Sequence, residues 1–120
     1  MTTNRERAIR GNLLVPPLDC SSGESFEELL SLRCGGLMME RIFSGGHTSP
    51  EGFWYDQEWD EIVVVVRGRA VLEYDGSAAA ETLADGDWLL IPARRRHRVA
   101  STSEDAVWLA LHLRDGLGKE

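Results

Sequence analysis

The residues of this chain whose types suit chemistry fall in two stretches. His97 lies inside the basic run Arg94-Arg95-Arg96-His97-Arg98. Imidazole is the one side chain there that can offer a metal a neutral nitrogen donor; the plainer alternative is a surface residue in a charged run. Upstream, Glu51, Asp56, Glu58, Asp60 and Glu61 make an acidic segment, so any one carboxylate is either a ligand or a solvated acid at a strand end. Tyr55 and Gln57 add oxygen donors of lower affinity than imidazole for zinc or ferrous iron. Tyr55, Gln57 and Glu61 stand at even separations and can share one face of an extended segment, with Asp56 pointing away. If the segment bends, Asp56 comes inward instead. His47 lies fourteen residues before Glu61 in a glycine-flanked loop and either folds over a site as a replacement ligand or stays solvated. Trp54 and Tyr55 could line a pocket for an apolar or aromatic ligand. The arginines, Arg94 and Arg96 among them, could meet an anionic substrate or pair with the acidic segment; complementary charge across strands favours the pairing. His112 shares a strand face with Trp108 and Ala110 and reads as a packed core histidine.

The elements that must position these residues are strands. Ile62 to Val66 is an uninterrupted β-branched run, as expected of a strand buried on both faces. Arg67-Gly68 makes the next turn, and Ala70, Leu72 and Tyr74 alternate with Arg69, Val71 and Glu73 up to Asp75-Gly76. Leu37–Phe43 and stretches near 87–91, 97–101 and 106–113 complete the set, while Ala78-Ala79-Ala80 reads as an exposed part of a hairpin. Short strands with a turn every eight to twelve residues predict an all-β sandwich or barrel. Before them, Ser25-x-x-Glu28 has capping-box spacing ahead of Leu29, Leu30 and Leu32, which predicts one short helix over 25–32, stopped at Gly35-Gly36. Residues 1–12 are polar and aperiodic and read as a flexible arm. Leu13 to Pro17 ends in two prolines and reads as an extended edge segment.

At 120 residues the chain suits one domain, over residues 13–120. Twenty acids against thirteen bases give a formal charge of −7, which repels phosphate backbones and anionic lipid and argues against nucleic-acid and membrane partners. Neither an apolar run of the roughly 20 residues a membrane helix needs nor a secretory leader is visible, so the expected location is cytoplasmic. Cys20 and Cys34 are too few for a disulfide framework and read as reduced thiols. Val63 to Val66 and Val107 to Leu111 are apolar on both faces. An outward apolar face of that kind predicts a homodimer, unless segment 13–33 folds over it.

The spacing of the turn residues is specific. Glu61 is followed by six residues and Gly68; Gly86 is followed by five residues and Pro92, and His97 comes five positions later. This resembles the cupin superfamily, whose motifs read G-x5-H-x-H-x3-4-E-x6-G and G-x5-P-x-G-x2-H-x3-N. Gly86, Pro92 and His97 match the second motif, with Arg94 at its inner glycine and Ser101 at its asparagine. Glu61 and Gly68 match the back half of the first. The places of its two histidines fall on Tyr55 and Gln57, or on Trp54 and Asp56, depending on the spacing. The chain is most similar to single-domain cupins with a degenerate first motif carrying Gly-Phe-Trp-Tyr-Asp-Gln, here Gly52 to Gln57, and the likeness spans about 37–113.

The resemblance implies a cupin-type antiparallel β-barrel, the double-stranded β-helix or jelly roll, with a divalent metal between Glu61 and His97. Gln57 and Tyr55 would be weaker ligands, Asp56 and His47 the alternatives, and Trp54, Arg94 and Arg96 would line the pocket. A carboxylate, imidazole and amide set is harder than three histidines, which points to Mn(II), Fe(II) or Ni(II) before Zn(II). Two functions follow. One is a metal-dependent enzyme of dioxygenase or isomerase type on a small molecule. The other is a non-catalytic small-ligand sensor or binding module with a metal-free site.

Overall fold

The structure, a computed structural model, describes residues 8–16, 24–31 and 35–115. Cys20, Cys34, residues 1–7 of the expected arm and Leu32 lie outside them. Eight antiparallel strands form two sheets, and no helix occurs among the described residues. The strands are β1 (Ser25–Ser31), β2 (Leu37–Phe43), β3 (Asp60–Arg67), β4 (Arg69–Tyr74), β5 (Ala80–Ala84), β6 (Trp88–Ile91), β7 (His97–Thr102) and β8 (Val107–Leu113). One sheet has the order β1-β2-β8-β3-β6 and the other β5-β4-β7. This is the expected all-β architecture, and no described helix is long and apolar enough to cross a membrane.

The predicted helix over 25–32 is a strand. Ser25–Ser31 pairs antiparallel with β2, from Ser25 opposite Phe43 to Ser31 opposite Met38, with a register shift between Glu28 and Leu30. Eight residues are too few for a helix that is stable by itself, so tertiary partners decide. The open edge of β2 offers a ladder of main-chain hydrogen bonds, and Glu28 accepts from the hydroxyl of Ser31 instead of capping a helix. The strand β5 falls where only the exposed part of a hairpin was expected.

Alternation on the central strands sets what enters the barrel. On β3, Glu61, Val63 and Val65 are buried while Ile62, Val64 and Val66 are half-buried, so the valine run is buried on one face only. On β8 the inward set is Trp108, Ala110 and His112. On β7 it is His97 and Val99, with Arg98 between them turned out to Glu73. Ile42, Val63, Val65, Ala70, Leu72, Leu83, Ile91, Val99, Trp108 and Ala110 make one contiguous core between the sheets. The buried indole of Trp108 donates to the hydroxyl of Ser44 at 2.7 Å, which meets the need of a buried N–H for a partner.

Gly68 matches its predicted role. Its φ is +97°, and an added Cβ would lie 2.8 Å from the Ala106 Cα and 2.5 Å from the Ser103 hydroxyl, so the β3–β4 corner admits only glycine. Outside the five-stranded sheet, the guanidinium of Arg41 donates to the carbonyls of Asn12 at 3.0 Å and Val15 at 2.7 Å, holding part of the N-terminal segment over β2.

Candidate ligand and metal site in the barrel

The segment before β3 is laced to the turn before β7. Tyr55 and His97 exchange main-chain hydrogen bonds, at 2.7 Å from Tyr55 and 3.1 Å from His97. The Arg94 amide donates to the Gln57 carbonyl at 2.6 Å, and the Ala93 amide to Asp60 Oδ1 at 2.8 Å. Three links over six residues fix which side chains face inward. Tyr55, Gln57, Glu61 and His97 all line one cavity of about 80 Å³ inside the barrel. Asp56 turns outward and pairs with Arg94 at 3.3 Å.

Glu61 and His97 are 7% and 5% exposed. Gln57 Nε2 donates to Glu61 Oε1 at 2.8 Å, and the second carboxylate oxygen has no partner among the described residues. Nδ1 of His97 lies 2.8 Å from the Arg95 carbonyl, which can only accept, so Nδ1 carries a proton and in the neutral ring Nε2 holds a lone pair. Such a hydrogen bond on the far nitrogen is how metal-binding histidines are oriented. The Tyr55 ring stacks on His97 with centroids 5.3 Å apart. Burial, reinforced by Glu24, Glu61 and Glu40, pushes the Tyr55 hydroxyl up to about 12, so it is a neutral phenol.

Three further polar residues line the cavity that sequence reasoning did not assign to it: Glu24, Glu40 and His112. The indole of Trp59 donates to His112 Nδ1 at 2.9 Å, so the ring proton sits on Nε2, which donates to Glu40 Oε1 at 3.0 Å. Both nitrogens of His112 are thereby engaged. Glu24 Oε1 lies 3.3 Å from Nε2 of His47, which serves as that carboxylate's partner. Burial raises Glu24 above the ordinary carboxylate range and nearby Glu40 adds to this, while His47 and the Ser44 hydroxyl oppose it. One sequence signal for Glu40 existed: Glu40 and Arg41 are adjacent in β2, so either register puts one charge inside. Glu24 gave none, since it precedes a segment read as helix.

Trp54, Arg94 and Arg96 do not line this cavity. The Arg96 guanidinium stands over the Trp54 ring at 5.9 Å and pairs with Asp75, so the arginines meet acids and aromatics on the outside. Arg94 occupies the motif's glycine position at φ +67°, the left-handed region where that glycine would be at ease. Among the described residues no three His, Cys, Asp or Glu side chains are grouped as a metal would need.

The family model of the cupin domain matches residues 39–112. No curated protein shows significant similarity. Among solved structures, a protein of Ralstonia eutropha JMP134 named as a candidate mannose-6-phosphate isomerase is 45% identical, covering 88% of this chain and 98% of its own, with a TM-score of 0.77. KdgF from Halomonas sp. is 20% identical over 92% of this chain and 90% of its own, with a TM-score of 0.63. A cupin superfamily protein of Desulfitobacterium hafniense DCB-2 is 16% identical over 80% of this chain and 83% of its own, with a TM-score of 0.64. With Glu61, Gly68, Gly86, Pro92 and His97 at the motif positions and a matching fold around them, the chain belongs to the cupin superfamily.

Proposed function

We propose that this cupin holds a divalent metal ion at Glu61 and His97 and a small organic ligand beside it in the barrel cavity. The observation that carries the reading is the pair of free donor atoms, one carboxylate oxygen of Glu61 and Nε2 of His97, on two nearly buried side chains of one cavity. The donor set fits an ion, though a loosely held one. Gln57 can add its amide oxygen, whereas the neutral phenol of Tyr55 is a weak donor and His112 is committed to Trp59 and Glu40. Oxygen-rich sites of this kind suit Mn(II), Fe(II) or Ni(II) before Zn(II). Such an ion, when bound, would polarise oxygen atoms of a chelating ligand, the chemistry an isomerase or dioxygenase needs.

The sugar-phosphate activity in the name of the Ralstonia relative sits poorly in this cavity. Glu24, Glu40 and Glu61 line it with no lysine or arginine among the described residues, so a phosphate dianion would meet three carboxylates. A second reading, a metal-free binding module, draws support from the closed Gln57–Glu61 and Trp59–His112–Glu40 hydrogen bonds, which need no cation.

Elemental analysis of protein purified without chelator or histidine tag tests the first reading. Near-stoichiometric transition metal in the wild type, lost in Glu61→Gln and in His97→Ala, is the expected result. Equal metal content in the wild type and Glu61→Gln would overturn it, and a metal-free, fully stable wild type would favour the second.

A further inference from the structure

We infer that the Glu24 and Glu40 side of the cavity seats the protonated amine of a compact organic cation. The inference rests on the reading that the cavity holds a small organic ligand, and it adds the class of that ligand. Three observations support it.

The first is the hydrogen-bonding character of the cavity wall. A carboxylate accepts only, and Nε2 of His97 in the neutral tautomer that the Arg95 carbonyl requires also accepts only. That nitrogen has no hydrogen-bond partner among the described residues, and the residue that carries it is 5% exposed and lines the cavity. Glu40 Oε2 and one oxygen of Glu61 likewise have no donor among the described residues. Whether or not an ion takes the Glu61 and His97 atoms, Glu24 and Glu40 leave acceptors on this wall, so a guest there must bring donors. An ammonium group brings three, a hydroxyl one, and a phosphate or carboxylate almost none.

The second is the rigidity of the two acids. Glu40 is held by His112, itself fixed by Trp59, and Glu24 is flanked by His47. Their side chains are 17% and 11% exposed, so an incoming cation meets carboxylates already oriented and largely stripped of water. The Tyr55 hydroxyl is raised first by burial and then by the charges of Glu24, Glu61 and Glu40. The His47 ring, 3.3 Å from Glu24, offsets part of that charge.

The third is the remainder of the wall. Phe26, Ile42 and Trp108 supply apolar and aromatic surface for a carbon skeleton. A volume of about 80 Å³ restricts that skeleton to a few carbons.

The experiment titrates the full chain with n-butylammonium, 1-butanol, butyrate and mannose 6-phosphate, following amide shifts by NMR, with metal content measured on each sample. Butylammonium is expected to bind at least tenfold more tightly than butanol, with no saturable shift from the two anions. Glu40→Gln and Glu24→Gln, on separate elements, should each weaken it about tenfold with metal content unchanged. No saturable butylammonium binding, equal affinity for either anion, or indifference to both substitutions would overturn the inference. Loss of metal in Glu61→Gln is read separately, so failure of the metal reading and failure of the amine reading are told apart.

Discussion

Gln57 donates through Nε2 to Oε1 of Glu61 at 2.8 Å, a hydrogen bond between a residue outside any strand and the first buried acid of β3. The donor is neutral and the acceptor charged, the class of bond worth about 1.5–3 kcal/mol. Gln57→Leu removes it and leaves a carboxylate at 7% exposure without that partner. We expect a loss of about 2 kcal/mol in urea unfolding at neutral pH, and a smaller loss in the Gln57→Leu, Glu61→Gln double variant, where no charge is stranded. A double variant as unstable as the sum of the singles would show that the two residues do not act together.

Tyr55 carries the pH dependence that can be read most directly. Its folded value is about 12 against an ordinary 10, chiefly through burial and then through Glu24, Glu61 and Glu40. The fold favours the protonated form, so the contribution is fully present below pH 10 and is lost as pH rises through about 12. Tyr74 is also raised by burial, and the chain has only these two tyrosines. Phenolate absorbance should therefore appear late, with the later of two steps missing in Tyr55→Phe. A normal first titration for both tyrosines would contradict the burial of this wall.

Arg94 stands at φ +67°, where a residue with a Cβ costs roughly 1 kcal/mol. Its exposed pairing with Asp56 returns no more than about 0–1 kcal/mol. Arg94→Gly relieves the conformation and retains the main-chain amide that donates to Gln57, so it should stabilise the protein by up to about 1 kcal/mol in thermal or urea melts. Arg94→Ala keeps the strain and loses the pair, and should not stabilise. Equal effects from the two would locate the cost elsewhere.

The parts of this fold that could be read from the chain are those where side-chain type and backbone geometry agree. Ile62 to Val66 suits only a strand, and Gly68 sits at a corner that admits no Cβ, so both were legible. The resemblance to the cupin motifs pointed to Glu61, with six residues between it and Gly68, and to His97, five positions after Pro92, and both line the same cavity. Ser25–Ser31 was illegible because its helix signals are local, whereas its partner Leu37–Phe43 is reached only through the fold. Glu24 and Glu40 stayed hidden for the same reason: which acid faces inward depends on pairing with strands far along the chain. Whether Asp56 or its neighbours face the barrel was likewise settled by the Tyr55 to His97 bridge, a contact across forty-two positions.

Two apolar rows cross the outer face of the large sheet. Leu109, Val64 and Trp88 are register neighbours, as are Leu111, Ile62 and Leu90. Trp88, at the short edge strand, is 67% exposed. We expect a homodimer through this face, and Trp88→Glu should shift it towards monomer in sedimentation velocity at micromolar concentration. A strictly monomeric wild type there would remove the expectation.

His97 and His112 should be in opposite tautomers. The Arg95 carbonyl requires a proton on Nδ1 of His97, while the Trp59 indole, a donor only, requires a bare Nδ1 on His112. Long-range proton–nitrogen NMR of the imidazole rings distinguishes the two forms, since protonated and bare ring nitrogens resonate far apart. Trp59→Phe should release His112, letting its ring exchange between tautomers and loosening its hold on Glu40, while the His97 signals stay as they were. The same tautomer for both rings in the wild type would take away either the free Nε2 on which metal binding at His97 depends or the anchored Glu40 on which amine binding depends. The outcome therefore bears on each proposal separately, according to which ring departs from its assigned form.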